Sequence, residues 1–354
     1  MKQSGIHSNT LLEWLLLLGV EWGAYPPNRV LVQNLDRDKL LPNSLCLRLV
    51  GSRVQRCLRL SVAAVLALSL ASVLCCSPAA RAASDAPKPN PSQSYIGPGS
   101  PLLQAGFRQL YELNFSGARE KILSYQQSHP TDPIGKAAEA ASYLYEEFNA
   151  KGIFTSKFFL NDDKLLNGAD GTPAENRNLP FLRADQETRR MAQATLKTYP
   201  HDARALLALT LADGMESDYD AFIIKKQMDG LGLMKRAERE ANALLAIDPN
   251  DDDAYVALGA SDYVIGCLPS YKRAFLWFGG IHGDRDRGMQ EMQLAADHGQ
   301  YLRPFAKILL ALACEREHQP ARARALLSQL TTEFPQNPRF ARELALLNAR
   351  TSGD

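Results

Sequence analysis

The chain has 354 residues, 45% of them hydrophobic and 22% charged, the balance of an ordinary globular protein rather than a disordered or fibrous one. Its net charge of +1 averages two unlike parts: residues 1–82 hold nine Lys/Arg against four Asp/Glu, which leaves 31 basic and 35 acidic residues downstream, a balance of −4. That mildly acidic body argues against nucleic-acid binding, which needs basic patches to neutralise phosphates.

Taken in chain order, residues 1–52 carry the apolar run LLEWLLLLGVEW and no repeat-like spacing. They read as a start codon assigned too far upstream, or else as a real extension, disordered or lying in the cytoplasm or at a membrane interface. Residues 53–82 have the layout of a secretory signal peptide: Arg53, Arg56 and Arg59 precede the uncharged run Leu60–Cys76, and Ala80-Arg81-Ala82 supplies small residues for cleavage after Ala82. Lipidation at Cys75 or Cys76 is an alternative, although Leu74 and Cys75 are poor substitutes for the small residue usual before a lipidated cysteine. A second alternative is an uncleaved membrane anchor over residues 60–76. Residues 83–101, ASDAPKPNPSQSYIGPGSP, have too much Pro, Ser and Gly for regular structure and read as an extended tether. Export, most simply to the periplasm, would leave Cys267 and Cys314 as the mature cysteines, either paired or each a small core residue.

From residue 102 to 350 one pattern recurs: a small residue, another small or apolar residue four later, and a proline eight after that. It appears as Ala118, Ile122, Pro130; Thr188, Ala192, Pro200; Ala237, Ala241, Pro249; and Ala323, Leu327, Pro335. The small residue lets two helices approach, the second continues the same face, and the proline stops the helix. Tyr255, Leu258 and Gly259, followed by Gly288 and Met292, give the clearest helical pair, and Leu310, Ala311 and Cys314 extend the last one. These motifs resemble the tetratricopeptide repeat, over most of the mature chain and most closely an exported subgroup with longer middle repeats. The resemblance implies an all-α fold, a right-handed α-α superhelix with helical insertions in two central repeats, acting as a noncatalytic protein-binding scaffold.

The two central units, Ala203 to Pro249 and Asp252 to Gln300, exceed the usual ~34 residues, with the extra piece between their two helices. Tyr219, Phe222, Ile223 and Met228 mark one insert; Tyr271, Ala274, Phe275 and Phe278, at steps of three and four, mark the other, and each is expected to add a short helix. Phe107–Tyr125 reads as a first pair with a short or irregular leading helix, Ile134–Asn149 as an alanine-rich helix, Gly152–Pro180 as a long ordered loop with one turn near Leu165, and Gln186–Lys197 as a further helix. No run of alternating β-branched residues points to a sheet.

Local chemistry is sparse. His282-Gly283-Asp284-Arg285-Asp286 is the best polar cluster, but its interleaved arginines disfavour a metal and Asp284 or Asp286 is better placed as a helix cap. Asn161-Asp162-Asp163 resembles a calcium loop only in composition. There is no phosphate-binding Gly-rich loop, zinc-binding pair or nucleophile elbow, so no enzyme activity and no cofactor or metal are expected. The partner-binding candidates are Tyr255, Leu268, Tyr271, Phe275, Trp277, Phe278 and Arg285, whose apolar members occupy more than one side of any helix at the second insert. Either that insert is buried between repeats, or its aromatic residues form a hot spot for a protein partner, or it touches a membrane surface. The expected partners are one or more envelope proteins, bound on a concave face, with membrane contact through the anchor only. The alternative function is a periplasmic carrier of a small apolar ligand held between solenoid and inserts.

Overall fold

The computed structural model describes residues 100–278 and 280–351; the expected extension, signal peptide and nearly all of the tether lie outside them. Among the described residues there is no strand. The α-helices are α1 (Pro101–Tyr111), α2 (Phe115–Ser128), α3 (Pro133–Lys151), α4 (Ser156–Phe159), α5 (Asp162–Asn167), α6 (Glu175–Thr198), α7 (Ala203–Tyr219), α8 (Gln227–Ile247), α9 (Tyr255–Cys267), α10 (Ser270–Phe278), α11 (Arg285–His298), α12 (Arg303–Arg316), α13 (Pro320–Glu333) and α14 (Pro338–Thr351).

Local sequence sets these boundaries. Asn114, Asp132, Asp202 and Asp284 each accept a backbone N–H from the first turn of the helix that follows, which satisfies donors the helix cannot. At the other end, α2, α6, α8 and α13 all stop two residues before the recurring prolines, and the intervening His129, Tyr199, Asp248 and Phe334 take φ between −126° and −134°. A following proline disfavours the helical conformation, so one steric rule ends four helices alike.

The small residues of the recurring pattern, Ala118, Thr188, Ala237 and Ala323, are all buried, as are their partners four residues on. Packing follows from them: α1 with α2, α3 with α6, α7 with α8, α9 with α11 and α12 with α13 form pairs, and each pair stacks on the next. The α9–α11 pair is antiparallel and close enough for backbone contact. A Cβ at Gly259 would meet Met292 N at 2.7 Å and Gly288 O at 2.8 Å; one at Gly288 would meet Tyr263 N at 2.6 Å.

Four expectations change. The first central insert adds no separate α-helix: α7 widens into a π-helical turn, Asp220–Ile224, and Ile223 is buried there. The segment after α3 is not a plain loop, since Thr155 and Asn161 cap α4 and α5. Helix α6 starts at Glu175 and carries Pro180 inside it. Finally, α1 starts at Pro101, ahead of the Phe107 expected, and at 11 residues it is short, as expected, but regular.

Phe107 of α1 lies 5.2 Å from Tyr301 and Tyr111 lies 5.6 Å from Phe334, ring centre to ring centre. Asn337 Nδ2 donates to Tyr111 O at 2.8 Å. Phe154, just before α4, sits 4.9 Å from Tyr145 and 5.5 Å from Phe305. Helix α1 therefore packs on the segments around α12 and α13 through aromatic rings.

Candidate functional site

The second central insert sits between the members of the α9–α11 pair. Helix α9 ends at Cys267, and Leu268 turns extended (φ −63°, ψ 149°) before Pro269. Pro269 O then accepts from Lys272 N and Arg273 N, which starts α10. At its far end Gly280 takes φ +75°, a left-handed conformation suited to glycine, and Gly280 N and Ile281 N close on Trp277 O and Leu276 O at 3.0 Å each. Two guanidinium groups fix the junction: Arg273 Nη1 donates to Gly266 O at 3.1 Å and Arg285 Nε to the same oxygen at 2.9 Å. That carbonyl lies in the last turn of α9, where the helix dipole favours a cation.

Within α10 only Leu276 is buried. Tyr271, Phe275, Trp277 and Phe278 are 70%, 55%, 62% and 84% exposed. The stripe Tyr271, Ala274, Phe275, Phe278 that its spacing marks as one face points to solvent, and the helix rests on the opposite side. Trp277 packs edge-on to Phe278 at 5.5 Å and lies 6.3 Å from the His282 ring. Beside it opens a depression of about 310 Å³ lined by Ile265, Ser270, Arg273, Ala274, Trp277, Ile281, His282 and Gly283.

The seven sequence candidates thus separate. Tyr271, Phe275, Trp277 and Phe278 come together on one exposed helix. Tyr255 is half-buried against the α11–α12 core, and Leu268 is the half-buried cap of α9. Arg285, besides its bond to Gly266, pairs with Glu317 at 3.2 Å and is part of the frame. Ile281 and His282 line the depression although neither was among the seven; Ile281 had no local signal, and His282 drew notice only as a metal ligand.

Polar groups elsewhere serve packing. Asp284 accepts from Asp286 N at 2.9 Å and Arg287 N at 3.1 Å as the cap of α11. Asp162 pairs with Arg316 of α12, and Asn161 accepts from Lys164 N as the α5 cap. Buried Asp213 of α7 bridges Arg189 of α6 and Arg236 of α8. Burial pushes the carboxyl of Asp185, beside Arg189, up to about 6. Glu291 is pushed up to about 7, first by burial and then by the Asp262 charge, and its Oε2 is buried without a hydrogen-bond partner.

Cys267 and Cys314 are both free. Burial raises both thiols, Cys314 to about 11, which keeps them protonated and weakly nucleophilic at neutral pH. Among the described residues no group of His, Cys, Asp and Glu is arranged to hold a metal ion, and no helix is long and apolar enough to cross a membrane. One interior cavity, between α3, α12 and α14, is about 30 Å³, room for a water molecule or two. No protein-family model matches this chain, and no curated protein matches it.

Proposed function

We propose that this chain is a noncatalytic adaptor of the cell envelope, built on tetratricopeptide-like helical pairs in a right-handed superhelix and exported through residues 53–82 to hold one or more envelope proteins. The observation that carries this reading is the exposure of Tyr271, Phe275, Trp277 and Phe278 on a helix fixed at both ends. Proteins rarely expose contiguous aromatic surface without using it to bind, and aromatic anchors dominate protein interfaces. The surface this reading favours for binding is the outside of α10.

The test is crosslinking mass spectrometry on cells expressing the tagged full chain beside a Trp277→Ala/Phe278→Ala variant. Both side chains are mostly exposed, so the variant should melt within about 0.5 kcal/mol of the parent while losing crosslinks to one specific envelope protein. A variant that unfolds, or a parent that crosslinks to no specific protein, overturns the proposal.

A further inference from the structure

Resting on the adaptor reading, we infer that α10 is the inserted helix of a helix-in-groove contact, received by an apolar groove on a partner protein whose rim carries carboxylates. Three independent features of the surface specify that partner.

The first is register. Tyr271, Ala274, Phe275 and Phe278 stand at positions i, i+3, i+4 and i+7, the anchor spacing by which a helix lies in an apolar groove. All four are exposed and none carries a charge, so the outer stripe of α10 has the composition that a surface helix ordinarily turns inward.

The second is charge. From Tyr263 to Gly283 the sequence contains no Asp or Glu. The arginines next along the chain are answered within it, Arg285 by Glu317 and Arg287 by Asp262. Among the described residues neither Lys272 nor Arg273, which flank the buried side of α10, has a carboxylate partner; Arg273 spends one N–H on Gly266 O. A groove that accepts the aromatic stripe brings one rim against Lys272, where a carboxylate completes the pairing.

The third is shape. The 310 Å³ depression beside Trp277, with Ile265, Ala274 and Ile281 on its walls and Arg273 and His282 at its polar edge, is a hole for a knob. A protein rim can place a side chain there and a flat lipid surface cannot.

The experiment uses the full-length chain in its native cells, with benzoylphenylalanine placed in turn at Tyr271, Phe275 and Phe278, and at exposed Leu123 on α2 as a control. Ultraviolet light and mass spectrometry then locate the crosslinked peptide. The expected result is one partner protein from all three α10 positions and not from Leu123, joined through an apolar segment flanked by Asp or Glu. Lys272→Glu should lower the yield about tenfold at unchanged melting temperature, with Lys272→Arg restoring it.

A product with the mass of two copies of this chain, a phospholipid adduct, or flotation of the purified chain with phosphatidylglycerol vesicles that Phe275→Asp abolishes would each overturn the groove. So would a crosslinked segment that is basic. A discrete partner reached from Leu123 but not from α10 removes this inference and leaves the adaptor; no discrete protein from any position removes both.

Discussion

Gly288 is the position at which the closeness of α9 and α11 can be measured. An alanine there places its Cβ 2.6 Å from Tyr263 N and 2.7 Å from Gly259 O, against ordinary contact at 3.4 Å or more. Both neighbours are backbone atoms and cannot rotate aside, so the helices must part by about 0.8 Å. A gap of that size forfeits about a quarter to a half of the dispersion energy of each contact along the seam. Overpacking of this kind costs about 1–3 kcal/mol, and with two rigid partners the upper end applies. The better helix propensity of alanine returns about 1 kcal/mol, for a net loss of about 2 kcal/mol. In a domain of this size that lowers the melting temperature by about 4–8 °C. The control is Gly232→Ala in α8, where an added Cβ meets nothing within 4 Å; propensity then acts alone and stabilises by about 0.5–1 kcal/mol. Urea titrations followed by circular dichroism read both. If Gly288→Ala is as stable as Gly232→Ala, the seam does not depend on backbone contact and the explanation of the small-residue pattern is wrong.

Asp213→Ala removes the carboxylate shared by Arg189, which keeps Asp185 and Glu216, and by half-exposed Arg236, so it should cost about 1–2 kcal/mol in a urea titration, less than breaking a fully buried pair; an unchanged stability refutes the bridge. Glu291 has its carboxyl raised from 4.5 to about 7 in the fold, so the folded state holds that proton more tightly and the stability it confers, full below pH 4.5, is lost as pH rises through 7. Glu291→Gln should therefore match the parent at pH 4 and exceed it at pH 8 by about 1 kcal/mol, a figure reduced for partial solvent exposure; a difference that does not change with pH refutes it. Cys314 is fully buried and Cys267 half-buried, so maleimide at pH 7 followed by peptide mass spectrometry should find Cys314 labelled only after denaturation, and rapid labelling at Cys314 in the native chain would contradict the assigned burial.

What was legible in the sequence is local. The recurring proline ends a helix by steric exclusion that involves only adjacent residues, and His129, Tyr199, Asp248 and Phe334 obey it alike. Ala118, Thr188, Ala237 and Ala323 could be assigned to helix seams because small size on one face has little other use there. The closure of the array could not be read, because Tyr111 and Phe334 are more than two hundred positions apart and neither has a neighbour that signals the other. Pro180 misled for an instructive reason. Its missing N–H leaves a carbonyl of α6 unanswered at Asn176, but Asn176 is exposed at the start of the helix, where water serves as the partner.

The second insert marks the limit of periodicity most clearly. Steps of three and four place Tyr271, Ala274, Phe275 and Phe278 on one face whatever that face meets, and the pattern is the same whether it points to a core or to solvent. Direction is decided by what holds the back of the helix. Here Leu276 supplies the buried contact, Arg273 and Arg285 grip the end of α9, and Gly280 closes the last turn. A loop bearing the same aromatic residues could fold them onto the body and hide them; a capped helix, pinned on its polar side, cannot. The backbone that carries the exposed rings is thus held in one arrangement by the fold, so a contact made through them would not have to order the helix itself.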